Sequence, residues 1–155
     1  MALALESAGK VRQKTYALAQ LDNSAYRALQ AFFQYWATHK NNADLQIFHF
    51  SEAEADDADG TGKADAACKV HFVYIKKAAS DTDNYFKLFD NATVDTTTTD
   101  QRLVLPLFIS GESQVWQSNE GLPFANGVTV TQHTTSEGTA DGSDGGSGFF
   151  IVSAA

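Results

Sequence analysis

The residues of this 155-residue chain whose types suit chemistry are four histidines, one cysteine and a run of closely spaced acids. Asp57-Ala-Asp59-Gly-Thr61-Gly62 sets oxygen ligands at alternate positions with glycine at the sixth, as an EF-hand calcium loop does. The twelfth position is Cys68, where that chemistry needs a bidentate glutamate, and the flanks read as strand and loop. A solvated hairpin loop is therefore expected, with no metal. Asp141-Gly-Ser-Asp144-Gly-Gly matches one copy of a calcium-binding repeat, and such repeats work only when stacked. His39, His49, His71 and His133 share no metal-ligand spacing. A metal held by His49 and His71 would need them to meet on neighbouring strands, and histidines exposed or hydrogen-bonded on a sheet are the expectation. Cys68 stands beside Lys69, which would favour a thiolate, but a small half-buried residue is expected there. The chain has no Gly-x-Ser-x-Gly elbow, phosphate loop, His-Glu-x-x-His or dinucleotide fingerprint. Neither catalysis nor a cofactor is expected.

Charge narrows the partners. Eleven basic against nineteen acidic residues leave a net of −8. A nucleic-acid binder needs a dense basic face to displace counterions, so that class is not expected. The charge is also uneven. Residues 1–40 carry five cations (Lys10, Arg12, Lys14, Arg27, Lys40) against Glu6 and Asp22, whereas residues 103–155 hold five acids and no Lys or Arg. A basic first third on an acidic body suggests two parts with different contacts. A single cysteine excludes an intrachain disulfide. No apolar run reaches the length of a membrane span, so no membrane partner is expected. The opening residues lack a basic segment followed by an apolar core, so no signal peptide is expected, and the acceptor pattern Asn91-Ala-Thr93 has no route to glycosylation.

The elements that position these residues change character near residue 43. Leu18, Leu21, Ala25, Leu29, Phe32 and Trp36 recur at steps of three and four, widened by Tyr26 and Phe33 into one helical stripe. Asp22-Asn23-Ser24 offers N-caps, so either one long helix or a short one followed by residues 24–39 fits. The helix should end near His39-Lys40-Asn41-Asn42. From residue 45 the pattern turns to strands at 45–50, 69–75, 85–89, 102–109, 114–116, 128–131 and 149–152. In the second of these Val70, Phe72 and Tyr74 alternate against His71, Val73 and Ile75, both sets substantially apolar, so both faces should be covered. Pro106 marks an edge or a bulge. Residues 51–66, with six of the nineteen acids, and the Gly-, Ser- and Asp-rich residues 134–148 read as loops.

Together these features predict a mainly β chain: an antiparallel, jelly-roll-like β-sandwich over residues 43–155, with an N-terminal arm and helix over residues 1–42. Phe32, Phe33, Tyr35 and Trp36 cannot all point one way on a helix. They are candidates for core cover and, with Lys10, Arg12 and Lys14, for contacts with a neighbouring subunit.

Residues 70–155, a little over half the chain, also carry a resemblance. Tyr85-Phe-Lys-Leu-Phe-Asp-Asn-Ala-Thr93, a Thr-rich turn, the proline-bearing Leu103-Val-Leu-Pro-Leu107, then Gly121-Leu-Pro-Phe-Ala-Asn-Gly-Val128 and the threonine-rich strand after it resemble a β-sandwich module of tailed-bacteriophage virions. That resemblance implies a structural virion protein, made in the host cytoplasm and carried on the capsid surface as a decoration (cement) protein or head-fibre base. Its partners would be the major capsid protein and further copies of itself, a homotrimer being favoured. The rivals are a tail or head–tail connector component and a glycan-binding β-sandwich whose site would be built from Trp116 and residues 121–126.

Overall fold

The computed structural model describes residues 23–39, 45–51, 61–78, 84–92, 100–108, 111–134, 136 and 146–155. They form one helix, α1 (Asn23–His39), and eight strands. In chain order these are β1 (Leu45–Phe50), β2 (Thr61–Ala64), β3 (Cys68–Lys77), β4 (Asn84–Phe89), β5 (Gln101–Leu107), β6 (Ser113–Phe124), β7 (Val128–His133) and β8 (Gly146–Ala154). They make two four-stranded sheets, ordered β1-β8-β3-β6 and β2-β7-β4-β5, and every pairing is antiparallel.

Those orders follow one rule. The pairs β1·β8, β2·β7, β3·β6 and β4·β5 each join a strand to the one whose number completes nine. A single long hairpin, bent at its β4–β5 tip and wound up, produces that set, and it is the jelly roll. The expected sandwich and its jelly-roll character are both present. Seven of the eight strands lie where alternation placed them. The eighth, β2, falls inside the stretch read as an acidic loop, where Thr61, Gly62 and Ala64 pair with β7. β6 runs to twelve residues rather than three.

The core has two layers because sheet β1-β8-β3-β6 is apolar on both faces. Its inner face sends Phe50, Val70, Val73, Ile75, Phe124, Phe150 and Val152 against Phe86, Leu88, Leu105, Leu107, Val128 and Val130 of the other sheet. Its outer face presents Phe72, Tyr74, Phe149 and Ile151 to Ala25, Leu29, Phe32, Phe33 and Trp36 of α1. The helical stripe thus lands on the chain's own sheet over its described half, while Leu18 and Leu21 lie outside the described residues. Burying five such side chains contributes on the order of 10 kcal/mol before the entropy of ordering the helix is charged against it.

One detail breaks strict alternation. Val70 faces the inner core, yet Phe72 and Tyr74 face the helix. The ladder shifts register between Val70 and Phe72 on both sides of β3, so His71 is an extra residue, a β-bulge. A bulge turns the strand over without a change in its hydrophobic composition.

Candidate functional site

His71 sits where α1, β3, β6 and β8 meet. It is 2% exposed. Its ring stands edge-to-face with Trp36, centroids 4.6 Å apart, and lies 6.0 Å from Phe32. The Ser118 carbonyl lies 3.2 Å from Nδ1, and Ser153 Oγ lies 2.9 Å from Nε2. A carbonyl only accepts, so Nδ1 donates to it, while the single Ser153 hydroxyl proton is shared between Nε2 and the Ala154 carbonyl, 3.2 Å from Oγ. Opposite His71, β6 makes an excursion of its own. Leu122 pairs with Val70 and Gln117 with Phe72, so residues 118–121 bow out against a single residue of β3. Gly121 takes a φ of +78° there, and a β-carbon on it would stand 2.6 Å from His71 Cε1. Only glycine combines that backbone with that approach.

A histidine–serine contact is the beginning of a nucleophile–base arrangement. Here the serine is buried, the group behind the imidazole is a carbonyl, and two aromatic rings of α1 lie against the ring. The arrangement is a joint that fastens α1, β3, β6 and β8 together.

The remaining candidates separate. His49 and His71 do not meet, because β8 lies between β1 and β3, and His49 packs instead on Phe149. Among the described residues no three His, Cys, Asp or Glu side chains gather to hold a metal. Asp57 and Asp59 lie outside the described residues, while Thr61 and Gly62 of that motif are strand. Cys68 is buried, and burial first, then the Asp90 charge, pushes its thiol up to about 11, so Lys69 does not activate it. Trp116 packs at the rim of the inner core with Leu103 and Leu122, and residues 121–124 belong to β6 rather than to a loop. Phe32, Phe33 and Trp36 are committed to the chain's own helix–sheet contact and show a neighbour no more than 4% of their surface. Tyr35 is half-buried, and Lys10, Arg12 and Lys14 lie outside the described residues.

Sequence reasoning passed over the surface that the fold leaves apolar and open. Tyr85 pairs with Pro106 and Lys87 with Val104, so these four share the outer face of the second sheet. Further in, that face is withdrawn from water: Lys87, Phe89, Thr129, Thr131 and His133 are fully buried. At its β5 margin Pro106 is exposed, Tyr85 and Val104 are half-exposed, and Phe108 keeps 48% of its surface, the one large hydrophobic so exposed among the described residues. Phe108 stands edge-to-face on Tyr85, centroids 5.4 Å apart. The signal was available in the alternation of this strand: Leu103, Leu105 and Leu107 point in, which sends Val104, Pro106 and Phe108 out.

Asp90 follows β4 at the end of the β4–β5 pair opposite to this margin. Its carboxylate is buried and accepts from the Asn126 backbone N–H at 2.8 Å and from Arg102 Nη2 at 2.9 Å. Burial pushes its pKa up, but the Asn126 and Ala125 N–H groups and Arg102 outweigh that and hold it below the usual value. The Asp90 N–H donates to the Asp100 carbonyl, and Thr129 Oγ1 donates to the Asn91 carbonyl. The Phe-Asp-Asn segment of the resemblance is therefore a tether between β4, β5 and the β6–β7 turn.

Compared with protein-family models, curated proteins and solved structures, the chain matches none.

Proposed function

We propose that this chain is a structural protein of a tailed-phage particle that binds the outer surface of the capsid and stabilises the shell as a decoration protein. The observation that carries the reading is the aromatic margin beside β5, where Tyr85 of β4, Pro106 and Phe108 present a small apolar surface on a filled jelly roll. Aromatic side chains held by a sheet lose little freedom on docking, and they dominate interface energetics. The residues of the virion resemblance support it too. They fall on β4, β5 and the β6–β7 turn, and β4 and β5 carry this margin.

The mechanism is mechanical. Each copy bridges neighbouring major capsid proteins through a modest contact, and many repeated contacts together resist expansion of the shell. The basic residues Lys10, Arg12 and Lys14 serve encounter and register more than affinity. The test is co-sedimentation of the purified protein with undecorated capsids, alongside Phe108→Ala. Wild type should pellet with capsids to saturation, and the variant should bind at least about tenfold more weakly with an unchanged melting curve. Equal binding by the variant removes the β5 margin as the contact.

A further inference from the structure

Of the seven asparagines in the chain, Asn126 alone is followed by glycine. The pair lies in the turn between β6 and β7, and the fold demands the glycine. Gly127 takes a φ of +131°, and a β-carbon on it would stand 2.2 Å from the Ala64 carbonyl oxygen. Neither the backbone nor the space admits another residue. An asparagine before glycine has a reaction of its own open to it. No β-carbon on the next residue hinders the approach of that residue's backbone nitrogen to the asparagine carboxamide carbon. At the other six asparagines the following residue carries one.

The surroundings of Asn126 favour the chemistry at the side chain and restrain it at the main chain. Asn126 is exposed, so water and hydroxide reach its carboxamide. Nδ2 reaches the Asp90 carbonyl at 3.5 Å, the long limit of a hydrogen bond. The Asn126 backbone N–H, by contrast, donates to Asp90 Oδ1 at 2.8 Å, and Gly127 is buried beside Ala64 of β2. Swinging the carboxamide carbon onto the Gly127 nitrogen requires this turn to open.

We propose that Asn126–Gly127 is a self-modification site, at which the chain converts Asn126 to aspartate and isoaspartate through a cyclic imide, and that the Asp90 tether sets the rate. A base takes the Gly127 N–H proton, and the nitrogen attacks Asn126 Cγ. The new bond is N–Cγ. The Cγ–Nδ2 bond breaks, and Nδ2 takes up a proton and leaves as ammonia. Water then adds to one of the two imide carbonyls and breaks its C–N bond. Opening at Cγ restores the normal main chain as aspartate, and opening at the main-chain carbonyl routes the chain through the side chain as isoaspartate. Carboxamide and water become carboxylate and ammonium, with no change of oxidation state. The products act back on the turn. Either one places a second carboxylate beside that of Asp90, and isoaspartate adds a methylene to the main chain just before a glycine that has no room to move. The modified turn should therefore hold β4 to β6 and β7 less tightly.

The experiment is incubation of the full-length protein in warm, mildly alkaline heavy-oxygen water, followed by peptide mapping that separates aspartate from isoaspartate. Conversion adds about 1 Da, and label taken up when the imide opens distinguishes it from conversion during digestion. Asn126 should convert before the other six asparagines and give both products, and the converted fraction should melt below the intact one. Cyclisation draws on the locally opened turn, so Asp90→Ala should convert at least about tenfold faster than wild type. Arg102→Ala, a milder loosening of the same tether, should convert faster than wild type but more slowly than Asp90→Ala. Asn126→Gln should stay unconverted with an unchanged melting curve. Conversion spread evenly over the asparagines, Asn126 intact in wild type and both tether variants, aspartate formed without isoaspartate, or a rate unmoved by Asp90→Ala and Arg102→Ala overturns the proposal. None of these outcomes depends on capsid binding.

Discussion

Replacing Asp90 with alanine should destabilise the chain by about 3 kcal/mol, and the size follows from what the carboxylate holds. It is 3% exposed and receives the backbone N–H groups of Asn126 and Ala125 and one Arg102 nitrogen. A hydrogen bond to a charged group contributes about 1.5–3 kcal/mol, and a buried N–H left without an acceptor costs about 1–3 kcal/mol. The Arg102 side chain is 47% exposed, so its share is screened and adds no more than about 1 kcal/mol. For a chain of this length each kcal/mol moves the midpoint about 2–4 °C, so Asp90→Ala should melt about 6–12 °C lower. The pH dependence supplies a second check. The folded-state pKa of Asp90 is depressed, so its stabilisation is fully present above the unfolded value, near 3.9, and is lost as pH falls through the folded value. The gap between wild type and Asp90→Asn should hold from pH 7 to about 5 and narrow below about pH 4. Thermal melts of the three proteins from pH 7 to 2.5 measure both effects. A loss below about 1 kcal/mol for Asp90→Ala, or a gap that widens on acidification, refutes the tether.

Gly121→Ala places a β-carbon 2.6 Å from His71 Cε1 at a left-handed backbone position, and should cost about 2–4 kcal/mol in chemical denaturation. Trp36→Ala empties the cover over His71 and should cost about 3–5 kcal/mol, with a blue-shifted fluorescence component lost. Cys68, buried and with its thiol pushed up to about 11, should react with a disulfide reagent at pH 8 at least about a hundredfold more slowly in the native than in the unfolded protein.

Much of the architecture was written locally. The helix stripe at Ala25, Leu29, Phe32 and Trp36 and the apolar strands need only their own spacing, and each lies where that spacing put it. What stayed hidden depends on partners distant in sequence. Thr-Gly-Lys-Ala has one buried apolar side chain, Ala64, and becomes strand β2 because β7, more than sixty residues away, supplies its ladder. The polar stretch 117–121 has the composition of a turn, yet β6 carries through it because β3 pairs on either side. The bulge at His71 inserts one residue without altering composition, so Val70 changes face unannounced. The two strand histidines were separated by β8, whose place between β1 and β3 only the closed topology fixes. Of the site, the aromatic helix face was visible as core or interface, and the structure uses its buried members as core. The open margin at Phe108 is latent in β5's alternation, beside the edge position that Pro106 marks.

The most direct test of the capsid reading is the mass of an undecorated capsid before and after incubation with excess protein, read by native mass spectrometry or by light scattering. The account predicts a rise that saturates at a fixed ratio of this chain to capsid subunits, and that is sharply reduced for Phe108→Ala. A capsid whose mass does not change, or one that takes up protein without saturating, contradicts it.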